Sequence, residues 1–293
     1  MGSVVELVDD LEATLTGYDT SPSQTHLTSS MASGDLTMSV DDHKKVSAGL
    51  VQVGDELMWV DSTSASSVVI PPYGRGYRSS TAASHAAGER VVNKPKFPRV
   101  NILRTINEVI GGLYGDLYAV DVTQIVHEGS VTTYELPATC AGVLSVRYET
   151  VGPSRAWQPV KRWNYNPNAN TTTFPSGKSI DLWQGPIPGY PWRITYKREP
   201  TALTSGGTFT DSGLPEYCED VVKYGAMHRL IGTLDSPRLQ VRTVESSQRS
   251  AYVETGAAAD LSKYYYALYQ EALGKAAKRL REDHPPQIHF TRF

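Results

Sequence analysis

Residues 257–283 read AAADLSKYYYALYQEALGKAAKRLRED and form the longest helical pattern in the chain. Apolar and aromatic residues recur there every three or four positions, which is the spacing of one face of an α-helix. They are Leu261, Tyr264, Tyr265, Leu268, Ala272, Ala276 and Leu280. Basic residues gather in the last turns, where they suit the negative end of the helix dipole. The stretch predicts one long helix, and with it a fold that is not all β.

Three shorter stretches have the same helical spacing. The first begins with a capping box at Ser3 and Glu6 and ends near Gly17. The second runs over residues 99–114 after Pro98, and the third over residues 214–231. Helices this short are marginal alone, so each apolar stripe needs a partner surface. For the first helix, that surface is either the chain's own core or another subunit.

Two regions have the pattern of short β-strands. Residues 45–53 and 56–61 are apolar or alternating runs separated by Gly54-Asp55, which predicts a hairpin. Between residues 118 and 200, turn-forming clusters separate six short runs, at 123–128, 131–136, 142–150, 156–160, 179–183 and 192–196. Such spacing is typical of a small antiparallel sandwich or barrel.

These patterns together predict an α+β fold, in which a helical bundle core carries inserted small antiparallel β modules. The expected division has five parts. They are an N-terminal helix and linker at 1–44, a small β module at 45–97, a helical core from 98–117 plus 201–283, an inserted β domain at 118–200, and an extended C-terminal docking arm at 284–293.

The composition and motifs favour a binding or structural role over catalysis. The seven His include no HExxH pair, and GxSxG, GxxxxGK[ST] and strand-linked GxGxxG patterns are absent from the sequence. We therefore expect no catalytic residues, no cofactor and no metal. The 28 Lys plus Arg against 31 Asp plus Glu leave a formal net charge of -3, so specific DNA binding is not expected. Cys140 and Cys218 are expected to be free thiols, and no run is long enough for a membrane span.

The aromatic residues suggest two kinds of contact. Four of the five Trp fall within residues 118–200, where core packing is the favoured interpretation, and Trp163 is the best candidate for an exposed contact. Consecutive helical residues point in different directions, so Tyr264, Tyr265 and Tyr266 cannot all face one core. With Tyr269 they predict a contact surface between subunits, because Tyr buries area and keeps a polar group.

The arm at 284–293 follows Asp283 and begins with His284-Pro285-Pro286. Ile288, Phe290 and, less regularly, Phe293 alternate with polar residues in it. An extended segment of this kind suits the addition of a strand to a partner or the filling of a groove on it. We predict that these three residues are part of a docking arm.

Two motifs resemble phage structural proteins. The first is the strand DELMWV at 55–60 followed by RGYRSSTAASHAAGERV at 75–91, which resembles a small β module widespread in such proteins. This sequence has Ser79-Ser80 where a Gly is common in the module. The second is LPEYCEDVVKYGA at 214–226 followed by the Tyr-rich helix, which looks like the helical part of tailed-bacteriophage head-to-tail adaptors, or connectors.

The resemblance implies a structural protein of the virion neck, made in the host bacterial cytoplasm. It implies a dodecameric homo-oligomeric ring under the portal protein, with a tail-side stopper or tail-tube protein as the next partner. DNA would pass through the lumen without specific binding, and no membrane is involved. Two alternatives stay open: a baseplate or tail-fibre structural protein, and a carbohydrate-binding receptor protein.

Overall fold

The computed structural model describes residues 2–16, 23–64, 67–150, 155–183, 188–233 and 257–289. That part of the chain has four helices, α1 (Val4–Thr16), α2 (Arg99–Gly112), α3 (Glu219–Gly232) and α4 (Ala257–Asp283). It has fourteen strands, β1 (Gln24–His26), β2 (Thr37–Met38), β3 (Gly49–Val53), β4 (Glu56–Val60), β5 (Ser62–Thr63), β6 (Val68–Val69), β7 (Arg90–Asn93), β8 (Ala119–Val126), β9 (Thr133–Glu135), β10 (Gly142–Glu149), β11 (Trp157–Pro159), β12 (Trp163–Asn166), β13 (Ser179–Leu182) and β14 (Pro191–Arg198).

The prediction of a helical bundle core with small β inserts is wrong. The described chain is β-rich, with four antiparallel sheets. Two of its three buried hydrophobic clusters are formed without helices. The physical reason is that many strands have only two to four residues and lie in Ser-, Thr- and Gly-rich sequence, where alternation is too short to recognise.

The first two sheets form an N-terminal β unit, which comprises the described residues between 23 and 97. One sheet has the order β1-β7-β3-β4 and the other β2-β6-β5. The predicted hairpin is confirmed: β3 pairs with β4, and Gly54 takes the left-handed φ of 55° that its turn requires. The part of the predicted linker that the structure describes contains β1, which pairs with β7, and β2, which pairs with β6. These pairings help enclose the buried hydrophobic cluster of the N-terminal β unit.

The other two sheets form a second β unit between residues 118 and 200. Their orders are β11-β10-β14-β8 and β12-β13-β9, and residues from both sheets enclose one buried cluster. A small antiparallel sandwich or barrel was predicted, and two sheets around one cluster are the sandwich of these two alternatives. The six predicted strands are present with shifted ends, and β12 is an additional strand. Trp163, the best candidate for an exposed contact, is only 2% exposed and packs in the cluster, as the favoured interpretation of core packing expects.

The helices pack around the third cluster. α3 lies at the centre, because it contacts α4, α2 and α1. Gly225 allows the close approach: a Cβ at this position would lie 2.9 Å from Cγ1 of Val109 and 3.2 Å from the ring of Tyr269. These atoms belong to α2 and α4, so the glycine sits where three helices meet.

α1 is part of the helical layer, by which we mean the four helices around the third cluster. Ser3 and Glu6 form the predicted capping box, with Glu6 Oε2 accepting from the Ser3 N–H at 2.8 Å and Ser3 Oγ from the Glu6 N–H at 3.1 Å. Val4 and Leu11 are fully buried in the helical cluster. The chain's own core is therefore the surface that this apolar stripe covers.

Candidate interaction surfaces

α4 divides its four tyrosines between core and solvent. Tyr265 and Tyr269 pack against the helical cluster, and burial raises the pKa of both hydroxyls. Tyr264 and Tyr266 remain 58% and 47% exposed. The expected fan of consecutive side chains is therefore present, and two large aromatic rings lie on the outside of the helix.

The exposed tyrosines lie beside other rings. Tyr264 meets Tyr265 edge-on with centroids 5.5 Å apart, and Tyr266 tilts against the ring of His228 at 5.0 Å. The His228 ring is fixed in turn by Ser262, whose Oγ lies 2.9 Å from Nδ1. These contacts orient the outer aromatic rings. We call Leu261 and Tyr264, which lie three residues apart on one side of the helix, the outer α4 face; both are exposed, and Tyr266 is exposed on the opposite flank.

The arm lies against the second β unit in the same chain. The Gln287 N–H donates to the Leu144 carbonyl at 2.8 Å, and Gln287 Oε1 accepts from the Val146 N–H at 3.0 Å. Its Nε2 donates to the Val160 carbonyl at 2.6 Å. The His289 ring stacks on Trp163, with centroids 3.7 Å apart.

Of the apolar residues predicted for docking, the structure describes Ile288, which is not part of this contact. Ile288 is 82% exposed between the two anchoring residues. Phe290 and Phe293 lie outside the described residues. Pro285 and Pro286 are exposed where the arm leaves α4. The structure thus shows an anchor at Gln287 and His289 that the sequence did not indicate, since the partners of Gln287 are backbone groups.

The loop between β6 and β7 contains most of the motif at 75–91. Glu56, which is fully buried, accepts two hydrogen bonds from Arg75, at 2.8 and 3.0 Å. It also accepts from the N–H groups of Gly76 and Ala83, and its Oε2 lies 2.9 Å from His85 Nε2. Burial alone would raise the pKa of Glu56, but the hydrogen bonds from Arg75, Ala83 and Gly76 lower it to about 2.

This carboxylate holds an unusual backbone in place. Gly76, Arg78 and Ser79 all have left-handed φ values, of 58°, 52° and 67°. The left-handed region favours glycine, and Ser79 belongs to the Ser79-Ser80 pair that stands where the related module commonly has a Gly. Its left-handed conformation costs some free energy. The motif therefore forms a loop held around the buried carboxylate of Glu56.

Arg99 joins three parts of the fold at the start of α2. Its Nε donates to Asp55 at 2.8 Å, and its Nη1 to Asp9 of α1. Its backbone N–H donates to Gln52 Oε1 at 3.0 Å. Arg99 therefore ties the β3–β4 hairpin to α1 and α2, and several surface carboxylates serve as its partners.

Neither a metal centre nor a membrane helix emerges from the described ranges. Within them, His, Cys, Asp and Glu side chains do not gather in groups of three or more that could hold a metal ion. Of the helices in this part of the chain, none is both long and apolar enough to cross a membrane. Cys140 and Cys218 are buried and free, as predicted.

The comparisons with known proteins identify the family. A family model described as SU10 adaptor protein matches residues 81–288, which is more than two thirds of the chain. The match spans α2, the second β unit, α3, α4 and the start of the arm, whereas α1 and β1 to β6 precede it. No curated protein matched the chain. The chain therefore belongs to the SU10 adaptor protein family and is a structural adaptor protein of a bacteriophage.

Proposed function

We propose that this protein forms a dodecameric ring in the phage neck, which joins the portal to the tail and extends the DNA channel. The observation that carries the proposal is the family match over residues 81–288. The tail-side partner would be a stopper or tail-tube protein. The role is mechanical, because the ring binds the filled head and offers a new docking surface to the next component.

The outer α4 face would be one side of the contact between neighbouring copies. A ring needs a heterologous interface, in which two different surfaces of the subunit match. α4 packs on α3, whereas α1 packs on α2 and α3, so these helices expose separate surfaces. An exposed aromatic ring such as that of Tyr264 suits an interface core.

The arm would contact the portal. Ile288 is the most exposed large apolar residue of the described chain, and Phe290 and Phe293 continue the alternation in the sequence. Apolar side chains at every second or third position suit an extended segment that adds to a partner. The formal net charge of -3 would limit adhesion of the DNA that passes through the ring.

Native mass spectrometry of the protein, alone and with its portal, tests this function. We expect a portal-bound dodecamer for the wild type and weaker ring assembly for Tyr264→Ser, because truncating a central interface aromatic costs roughly 1–2 kcal/mol per contact. Tyr73→Ser is the matched control, since Tyr73 is 70% exposed but lies in the N-terminal β unit. A stable trimer that ignores the portal would refute the proposal.

A further inference from the structure

The edge of β10 contains a small binding site for an extended chain. β11 pairs with β10 only at Arg147 to Glu149, and the Val160 N–H then donates to the Val146 carbonyl at 2.9 Å. Before Val146, the edge has no strand beside it within the described residues. The Leu144 carbonyl, the Val146 N–H and the Val160 carbonyl therefore need partners from elsewhere. We call these three groups the edge socket.

One residue of the arm satisfies the whole edge socket. Gln287 supplies a main-chain donor to Leu144, a side-chain acceptor to Val146 and a side-chain donor to Val160, at 2.6 to 3.0 Å. Its amide group thus takes the place of a neighbouring peptide group. Because half-buried backbone groups lose free energy when they are unpaired, the edge socket stays occupied in the stable protein.

The contact between arm and edge socket is specific but small. Apart from Gln287, the described arm adds the His289 ring on Trp163, while Ile288 points away and is exposed. The link from α4 includes Pro285-Pro286, and consecutive prolines favour an extended chain, which carries the arm away from the end of the helix. A contact of this kind can be exchanged without unfolding the rest of the molecule.

We propose that, in the assembled ring, Gln287 of one copy occupies the edge socket of the next copy. This inference rests on the proposed ring. Each copy has one arm and one edge socket, so the exchange replaces a contact by an identical one and links neighbours in a heterologous chain that the ring closes. The occupant is therefore a second copy of this protein, recognised through backbone groups and the stacking surface of Trp163.

The first test asks whether the edge socket accepts an arm from outside. Full-length protein with Gln287→Ala, which weakens its own arm, is titrated with a labelled peptide of residues 284–293, and fluorescence anisotropy is measured. We expect the peptide to bind this variant more tightly than the wild type or the control variant Ile288→Ala. A peptide that carries Gln287→Ala should bind about 30-fold more weakly, because it lacks two hydrogen bonds. Equal binding of both peptides would overturn the proposal.

The second test asks whether the exchange occurs in the ring. Copies with the photo-crosslinker p-benzoylphenylalanine in place of His289, whose ring stacks on Trp163, are made with 14N and with 15N, mixed, and assembled on the portal. Crosslinks between an arm peptide and a peptide that contains Trp163 should join light to heavy chains if neighbours exchange arms. A dodecamer that gives only same-label pairs would overturn the exchange and leave the ring intact. Failure to form any ring would instead count against the proposed function, and with it against exchange in a ring; the peptide titration would then decide only whether the edge socket accepts an arm from another copy.

Discussion

Glu56→Gln is the substitution whose effect on stability can be derived most directly from the structure. Glu56 is fully buried and accepts hydrogen bonds from Arg75, Gly76 and Ala83. Its pKa falls from an ordinary value of 4.5 to about 2, which corresponds to about 3 kcal/mol of folding free energy at neutral pH. Glutamine keeps the size but removes the charge, and it leaves the buried Arg75 without its carboxylate.

The sign of the pH dependence follows from the direction of the shift. A carboxyl group whose pKa is lower in the folded protein stabilises it above the pKa of the unfolded chain. That contribution is lost as the pH falls from about 4.5 towards 2. At pH 3, about 2 of the 3 kcal/mol should already be lost. The wild type should therefore exceed Glu56→Gln by about 3 kcal/mol at pH 7 and by about 1 kcal/mol at pH 3.

Urea unfolding followed by circular dichroism at both pH values measures this difference. Comparing wild type and variant at the same pH cancels the titration of all other groups. Glu135→Gln is the matched control, because Glu135 is an exposed strand residue of the second β unit; it should change stability by about 0.5 kcal/mol or less at either pH. A difference for Glu56→Gln that stays the same at pH 7 and pH 3, or that is below about 1 kcal/mol at pH 7, would refute the reasoning.

Two further predictions concern the helical layer and the thiols. Gly225→Ala should destabilise the protein by about 1–3 kcal/mol in the same assay, because its methyl group would collide with α2 and α4. Gly274→Ala, which meets no atom within 4 Å, should be neutral or stabilising, and equal effects of the two would contradict the packing. Cys140 and Cys218 should react with Ellman's reagent at pH 8 only after unfolding, because burial raises the pKa of both, that of Cys218 to about 12. Fast reaction of the native protein would show that the thiols are accessible.

The sequence correctly predicted the helices in which the apolar spacing repeats several times. α4 begins and ends at the predicted residues, and α2 is two residues shorter than predicted. The fold class was wrong because β1, β2 and β6 have two or three residues each and exist through pairing with distant strands. Local propensity carries little information about such strands.

The sequence likewise could not predict which residues of α4 are exposed or which residue anchors the arm. Leu261 and Tyr264 belong to the same apolar pattern as Leu280, yet the first two are exposed and the last is buried. Two apolar stripes lie side by side on α4, and the pattern does not say which one faces the core. Gln287 could not be found at all, because its partners are main-chain groups that carry no sequence signal.

The joint at Arg99 has a mechanical consequence. Its partners Asp55 and Asp9 come from the hairpin and from α1, while its own backbone opens α2. Bending the chain at this position would separate the guanidinium from its carboxylates, so these contacts resist a change in the angle between the N-terminal β unit and the helices. In the proposed ring, an N-terminal β unit held in this way would keep a constant angle to the ring axis. It would then set the distance between the ring and the neighbouring component on that side.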